Sequence, residues 1–225
     1  MQEDNRLTRR AFIQAASAAA AAAALPTPLG AAPAAPRWKV IGFSKPFTNL
    51  GFEQTADLVA EVGWDGIECP VRKNATHIDP EKVEELLPRM AEALRKRGRE
   101  ISLITTDITG VTPQAERILK TAAGLGIRRY RLGSLHYAAG RPIPEQLEAF
   151  KARIRDLAQL NRSLGIQGGI QNHSGRDYFG APVWDAFDAV KTLPAEAVGI
   201  AFDIGHATLE GGLSWPIQAR LAEPR

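Results

Sequence analysis

The sequence is poor in the residues that most often betray a function. Its 225 residues include one cysteine, two methionines and four histidines, and only 7% are aromatic. One cysteine excludes an intramolecular disulfide. Cys69 follows an apolar stretch and precedes Pro70, so it reads as a small buried hydrophobe, not a nucleophile. Charge of one sign is also lacking. Lys and Arg number 28 against 25 Asp and Glu, and so small an excess makes no basic face. The densest basic run, Arg95, Lys96, Arg97 and Arg99, falls at the end of a helical pattern, where cations complement the helix dipole. A nucleic-acid partner is therefore not expected. No Gly-x-Gly-x-x-Gly turn follows the first apolar run, which disfavours a dinucleotide fold. The apolar segment over 15–25 is too short and too rich in alanine to span a bilayer.

That alanine-rich segment belongs to a different pattern. Arg9 and Arg10 form a twin-arginine pair, preceded by Thr8 and followed by Phe12 and Ile13. Small residues at Ala32-Pro33-Ala34 offer a cleavage position near Ala34 or Ala35. Residues 1–35 thus read as a twin-arginine signal peptide. The partner it implies is the twin-arginine export machinery, and the destination is periplasmic or secreted, with no membrane attachment after cleavage. Without 1–35 the chain keeps 25 basic and 23 acidic residues.

From Trp38 onward, strand-like and helix-like patterns alternate. Strands are expected over 38–44, 65–69, 101–106, 128–132, 166–171 and 198–203. Helices are expected over 52–62, from a cap at Asp79 to Gly98, from a cap at Thr112 to Gly126, over 144–164 and from about Pro182. Strands recurring at intervals of roughly 30 residues indicate βα units and a parallel sheet. The expected class is α/β, a (β/α)8 TIM barrel that is incomplete here, with about six βα units in 36–225. A barrel of this kind needs about 250 residues, so the reading carries the expectation of a truncated C-terminus.

Ligands in parallel α/β proteins bind at the carboxyl ends of the strands. Polar, ligand-type residues collect there: Glu68, Asp107, His136, Gln171, Asn172, His173, Asp203 and His206. Asp203 and His206, three residues apart at the exit of a buried strand, form the best-placed pair.

Four stretches carry a resemblance: GWDGIECP (63–70), YRLGSLHY (130–137), IQNHSG (170–175) and FDIGHATLEGG (202–212). With them the chain resembles the xylose-isomerase-like TIM-barrel family of sugar (phosphate) isomerases and epimerases, and in particular exported members of it. The resemblance implies a small-molecule sugar substrate and a divalent metal ion (Mn, Mg, Co or Zn) at the barrel mouth. That ion would be held by a Glu from strand five, an Asp from strand six, and a His and a Glu from strands seven and eight.

Carried onto this sequence, Asp203 matches the strand-six ligand and Gln171 stands at the glutamate position. His206 and Glu68 become the catalytic candidates, and His136, Asn172 and His173 the substrate contacts. A glutamine can ligate through its carbonyl oxygen but is a far poorer proton acceptor than a glutamate. Lyase or hydrolase chemistry on a modified keto-sugar, or sugar binding without catalysis, are the alternatives on the same scaffold.

Overall fold

Apolar strands and amphipathic helices alternate along the chain as the sequence pattern requires. The structure, a computed structural model, describes residues 38–73 and 77–225. The expected signal peptide over 1–35 lies outside the described residues. The strands are β1 (Ile41–Phe43), β2 (Gly66–Val71), β3 (Glu100–Thr106), β4 (Arg129–Arg131), β5 (Gln167–Gln171) and β6 (Val198–Ala201). Between them run α1 (Phe52–Val62), α2 (Val83–Arg95), α3 (Pro113–Gly124), α4 (Ile143–Leu164) and α5 (Trp184–Val190). Two further helices, α6 (Ile204–Gly211) and α7 (Trp215–Ala222), follow β6.

All five strand pairings are parallel, and the sheet order is β1-β2-β3-β4-β5-β6. Spatial order that follows chain order without reversal belongs to a (β/α) barrel, since a doubly wound sheet reverses at a switch point. The α/β class and the six βα units expected from the sequence are therefore present.

Local chemistry sets the element ends. Thr112 accepts a hydrogen bond from the Ala115 amide at 3.0 Å and caps α3, which Pro113 opens. Gly165 stops α4 with φ 61°, a left-handed value that a side chain disfavours. Asp79 caps a 3-10 turn over Pro80–Lys82, and α2 continues from it.

The strands differ more from expectation. β1 covers three residues of the seven expected, while β2 runs two residues further, through Pro70 to Val71. Pairing with β1 ends at Glu68, so beyond that point one side of β2 needs no amide donor and proline is tolerated. α5 begins two residues later than expected, after Val183, whose φ of 67° breaks the helical path.

The core lies between the sheet and the helices, and Val59, Ile67, Cys69, Leu87, Met90, Leu94, Ile104, Leu119, Ile154 and Leu157 are wholly buried in it. Burial pushes the Cys69 thiol up to about 12, which leaves it protonated and inert, as its sequence context suggested. Tyr130 points from β4 into the same layer and donates to Asn161 Oδ1 of α4 at 3.1 Å. Asn161 in turn donates to the Ala197 carbonyl before β6 at 2.8 Å, so one buried amide ties two strands and a helix. No helix among the described residues is long and apolar enough to cross a membrane.

Candidate active site

Side chains alternate across a strand, so Tyr130 facing the helices sends Arg131 to the other side of the sheet, at the strand's carboxyl end. Glu68, Thr105 and Gln171 reach the same place from β2, β3 and β5, and Asp203 arrives two residues beyond β6. Together they make an unbroken polar line across the sheet. Thr105 donates to Glu68 Oε1, and Arg131 Nε lies 3.3 Å from the same oxygen. Arg131 Nη1 donates to Gln171 Oε1 at 2.6 Å. Gln171 Nε2 donates to Asp203 Oδ2 at 2.8 Å. The His206 amide donates to Asp203 Oδ1 at 3.1 Å, which makes Asp203 the N-cap of α6. His206 Nε2 lies 3.7 Å from Asp203 Oδ2, and its Nδ1 shares a 2.8 Å hydrogen bond with Ser174 Oγ.

This line faces a cavity of about 550 Å³. Glu68, Arg131, Gln171, His173, Asp203 and His206 line it, with Lys45, Arg72 and the rings of Phe43, Tyr178 and Phe179. Tyr178 stands in a stack of rings. His173 lies on it at 4.7 Å between centroids, His136 meets it edge-on at 4.2 Å, and the His173 and His206 rings are 4.1 Å apart.

The electrostatics follow from these contacts. Burial works to raise the Asp203 carboxyl. The His206 amide, the Gln171 amide, the His206 ring and the Gly205 amide together outweigh it and hold Asp203 below the usual carboxylate range. Arg131 has only 12% of its side chain exposed. Burial lowers its guanidinium, Glu68 raises it, Arg72 lowers it and Asp203 raises it, and the net direction is down. Guanidinium starts so high that it stays charged at neutral pH. The Phe43 ring sits 5.3 Å from its centre and adds a cation–π contact.

Of the residues expected from the sequence, five line the cavity: Glu68, Gln171, His173, Asp203 and His206. Asp107 instead pairs with Arg72 at 3.3 Å on the neighbouring loops. His136 is half-exposed behind Tyr178, 3.5 Å from Asp177, and reaches the cavity only through that ring. Asn172 is a correction. Its side chain has no exposed surface, and both ends of its amide are taken by the Asp203 backbone. Asn172 Nδ2 donates to the Asp203 carbonyl at 2.9 Å, and the Asp203 amide donates to Asn172 Oδ1 at 2.6 Å. With no exposed surface it offers a substrate nothing to touch, and Asn172 positions Asp203 instead.

Sequence reasoning missed Arg131 and Tyr178. The signal for the first was the alternation Arg129-Tyr130-Arg131 in a core strand, where an arginine opposite a buried tyrosine needs an acidic or amide partner. For Tyr178 it was an aromatic side chain in a loop after a strand end.

A model of the family described as xylose isomerase-like TIM barrel matches residues 56–225. The chain belongs to that family. Solved structures agree on the fold. A candidate xylose isomerase from Rhodospirillum rubrum aligns over 84% of this chain and 74% of its own, at 18% identity and a TM-score of 0.66. The 3-keto-D-glucoside 4-epimerase of E. coli aligns over 84% and 76%, at 16% identity and a TM-score of 0.65. A xylose isomerase-like TIM-barrel protein of Mycobacterium smegmatis, in complex with magnesium, aligns over 83% and 72%, at 15% identity and a TM-score of 0.61. Identities this low establish the fold alone. No curated protein matches the chain.

The magnesium of that relative raises the question of whether this chain offers a place for such an ion. A divalent ion of this class wants several converging oxygen or imidazole donors. Gln171 stands where it could add an oxygen beside Asp203, but its Oε1 is turned to Arg131 and only its amide hydrogens face Asp203. Among the described residues no group of three or more His, Cys, Asp and Glu could hold a metal. As arranged, the described residues do not fit a divalent ion.

Proposed function

We propose that this protein binds a carbohydrate at the mouth of the barrel and acts on it by proton transfer, as a sugar isomerase or epimerase. The observation that carries the reading is the unbroken polar line from Glu68 to His206 along one wall of a 550 Å³ cavity. A sugar is a ring of closely spaced hydroxyls with apolar C–H faces. Carboxylate, amide and guanidinium groups in a row suit the hydroxyls, and the cavity-lining rings of Phe43, Tyr178 and Phe179 suit the C–H surfaces.

Isomerisation and epimerisation both need a group that removes a proton from carbon and a group that returns it. Glu68 and His206 stand at the two ends of the line and are our candidates for those roles. Ser174 orients the His206 ring, Asp203 sits beside it, and His173 packs on it. The fold relatives include a 3-keto-D-glucoside 4-epimerase, which supports sugar chemistry as the class. The divalent ion expected from the resemblance is left out of this reading, because the Gln171 oxygen it would need beside Asp203 is committed to Arg131.

We also propose that residues 1–35, with Arg9 and Arg10, direct twin-arginine export, so that the protein works in the periplasm or outside the cell. An unphosphorylated sugar fits such a compartment. Fractionation of cells producing the full chain, with and without Arg9→Lys/Arg10→Lys, tests this; cytoplasmic retention of both forms would count against it.

The test of the function is a thermal-shift screen against ketoses, aldoses and 3-keto-glucosides, followed by chromatography of the incubated hits. Stabilisation by at least one of these and conversion to an isomer are expected. Stabilisation without conversion would leave a sugar-binding relative, release of an unsaturated or hydrolysed product would favour the lyase or hydrolase alternative, and no shift with any sugar would overturn the carbohydrate reading.

A further inference from the structure

We infer that the Arg131 guanidinium takes the place of a divalent cation in this chain, so that the positive charge of the site is covalently built in and independent of metal.

Three independent contacts fix that guanidinium in the middle of the polar line. Glu68 Oε1 lies 3.3 Å from Nε, Gln171 Oε1 accepts from Nη1 at 2.6 Å, and the Phe43 ring covers the group at 5.3 Å. Asp203, the second carboxylate of the site, is joined to it through Gln171. Two carboxylates from β2 and from the exit of β6 therefore share one central cation, which is the electrostatic part a bound divalent ion would play.

Gln171 is the residue that makes this arrangement consistent. It receives from Arg131 with its oxygen and donates to Asp203 with its nitrogen, and an ionised glutamate in its place could only accept. A glutamate at 171 would set two carboxylates against each other at about the distance of a hydrogen bond, and would need a proton or a cation between them. With glutamine no such cation is required, and one that approached would meet a guanidinium held in place. The Gln171 side chain and the Arg131 side chain thus exclude the ion together. Arg131 also lines the cavity, so its charge is available to an electron-rich oxygen of a bound ligand.

The inference rests on the fold and on these contacts; only its last step, the ligand oxygen, rests on the carbohydrate reading. The test therefore uses metal and no sugar. The purified full chain is stripped with chelator and titrated with MnCl2, with uptake read by calorimetry and by the free-ion electron paramagnetic resonance signal. Wild type is expected to show no stoichiometric uptake. The double variant Arg131→Met/Gln171→Glu, checked by circular dichroism, is expected to bind Mn2+ at least about tenfold more tightly than wild type, because carboxylate oxygens replace a competing cation. One tightly bound Mn2+ per wild-type chain would overturn the inference, and so would a folded double variant that gains no affinity. Should the double variant unfold, Gln171→Glu alone carries the same comparison: with Arg131 still in place it must stay without stoichiometric Mn2+, and uptake would show that the guanidinium does not exclude the ion.

Discussion

Asn172 has no contact with solvent, and both halves of its amide go to the backbone of one other residue, Asp203. Its removal would leave the Asp203 amide without its partner, while the Asp203 carbonyl keeps the Ala207 amide at 2.9 Å, and one such unpaired group costs on the order of 1–3 kcal/mol. Asn172→Ala is therefore expected to lose about 1–3 kcal/mol in urea unfolding. Loss of under half a kilocalorie would show that water replaces the clamp. Asp203 carries a second expectation. Its folded-state carboxyl lies below the unfolded value of about 3.9, so it contributes stability above that pH, and the contribution is lost as pH falls through the folded value. Melting temperatures of wild type and Asp203→Asn should differ at pH 7 and draw together below about pH 4. A constant gap across that range would mean that the hydrogen bonds, not the charge, carry the effect.

Helices were more legible in the sequence than strands, because their ends are written in local chemistry. Thr112 before Pro113 and Gly165 after Leu164 mark boundaries that need no knowledge of the rest of the chain. Thr112→Ala is expected to lower stability by about 1 kcal/mol and to affect α3 alone. Strand ends depend on partners far away in sequence. Nothing near Pro70 says that β1 stops pairing at Glu68, and so nothing local permits a proline in β2. The same holds for Asn161, mid-helix in α4, whose purpose appears only when Tyr130 and Ala197 are beside it. Asn161→Ala strands the buried Tyr130 hydroxyl, while the Ala197 carbonyl keeps the Gly168 amide at 3.0 Å, and a cost of roughly 1–3 kcal/mol is expected from thermal or urea unfolding. A melt unchanged from wild type would deny the tie between β4, α4 and the approach to β6.

On the scale of the whole molecule, the strand order was legible and the wiring of the site was only partly so. Periodicity and spacing suffice for parallel βα units, because hydrophobic pattern reflects burial directly. Asp203, His206, Gln171 and Glu68 could be chosen because strand ends collect chemistry. Arg131 could not, since its meaning lies in three partners from different strands or the segments beside them. Charge balance leads to another expectation. Three of the four cations in the basic run at the end of α2 meet a carboxylate on the spot: Arg95 pairs with Glu92 at 2.7 Å, Lys96 with the same residue at 3.9 Å, and Arg97 with Asp57 at 2.7 Å. Duplex DNA should show no gel shift with this protein at about 150 mM salt, and a shift that persists there would reveal a basic face that these ion pairs leave open.

The Asn172–Asp203 clamp has one more consequence, and it concerns time. The Asp203 amide lies past the last residue of β6, where loop amides usually exchange with solvent quickly, yet it donates to a wholly buried oxygen at 2.6 Å. Its hydrogen can be replaced by deuterium only when β5 and β6 part at their carboxyl ends. Protection at Asp203 comparable to that inside β5 would make this one amide a clock for the opening of the candidate site.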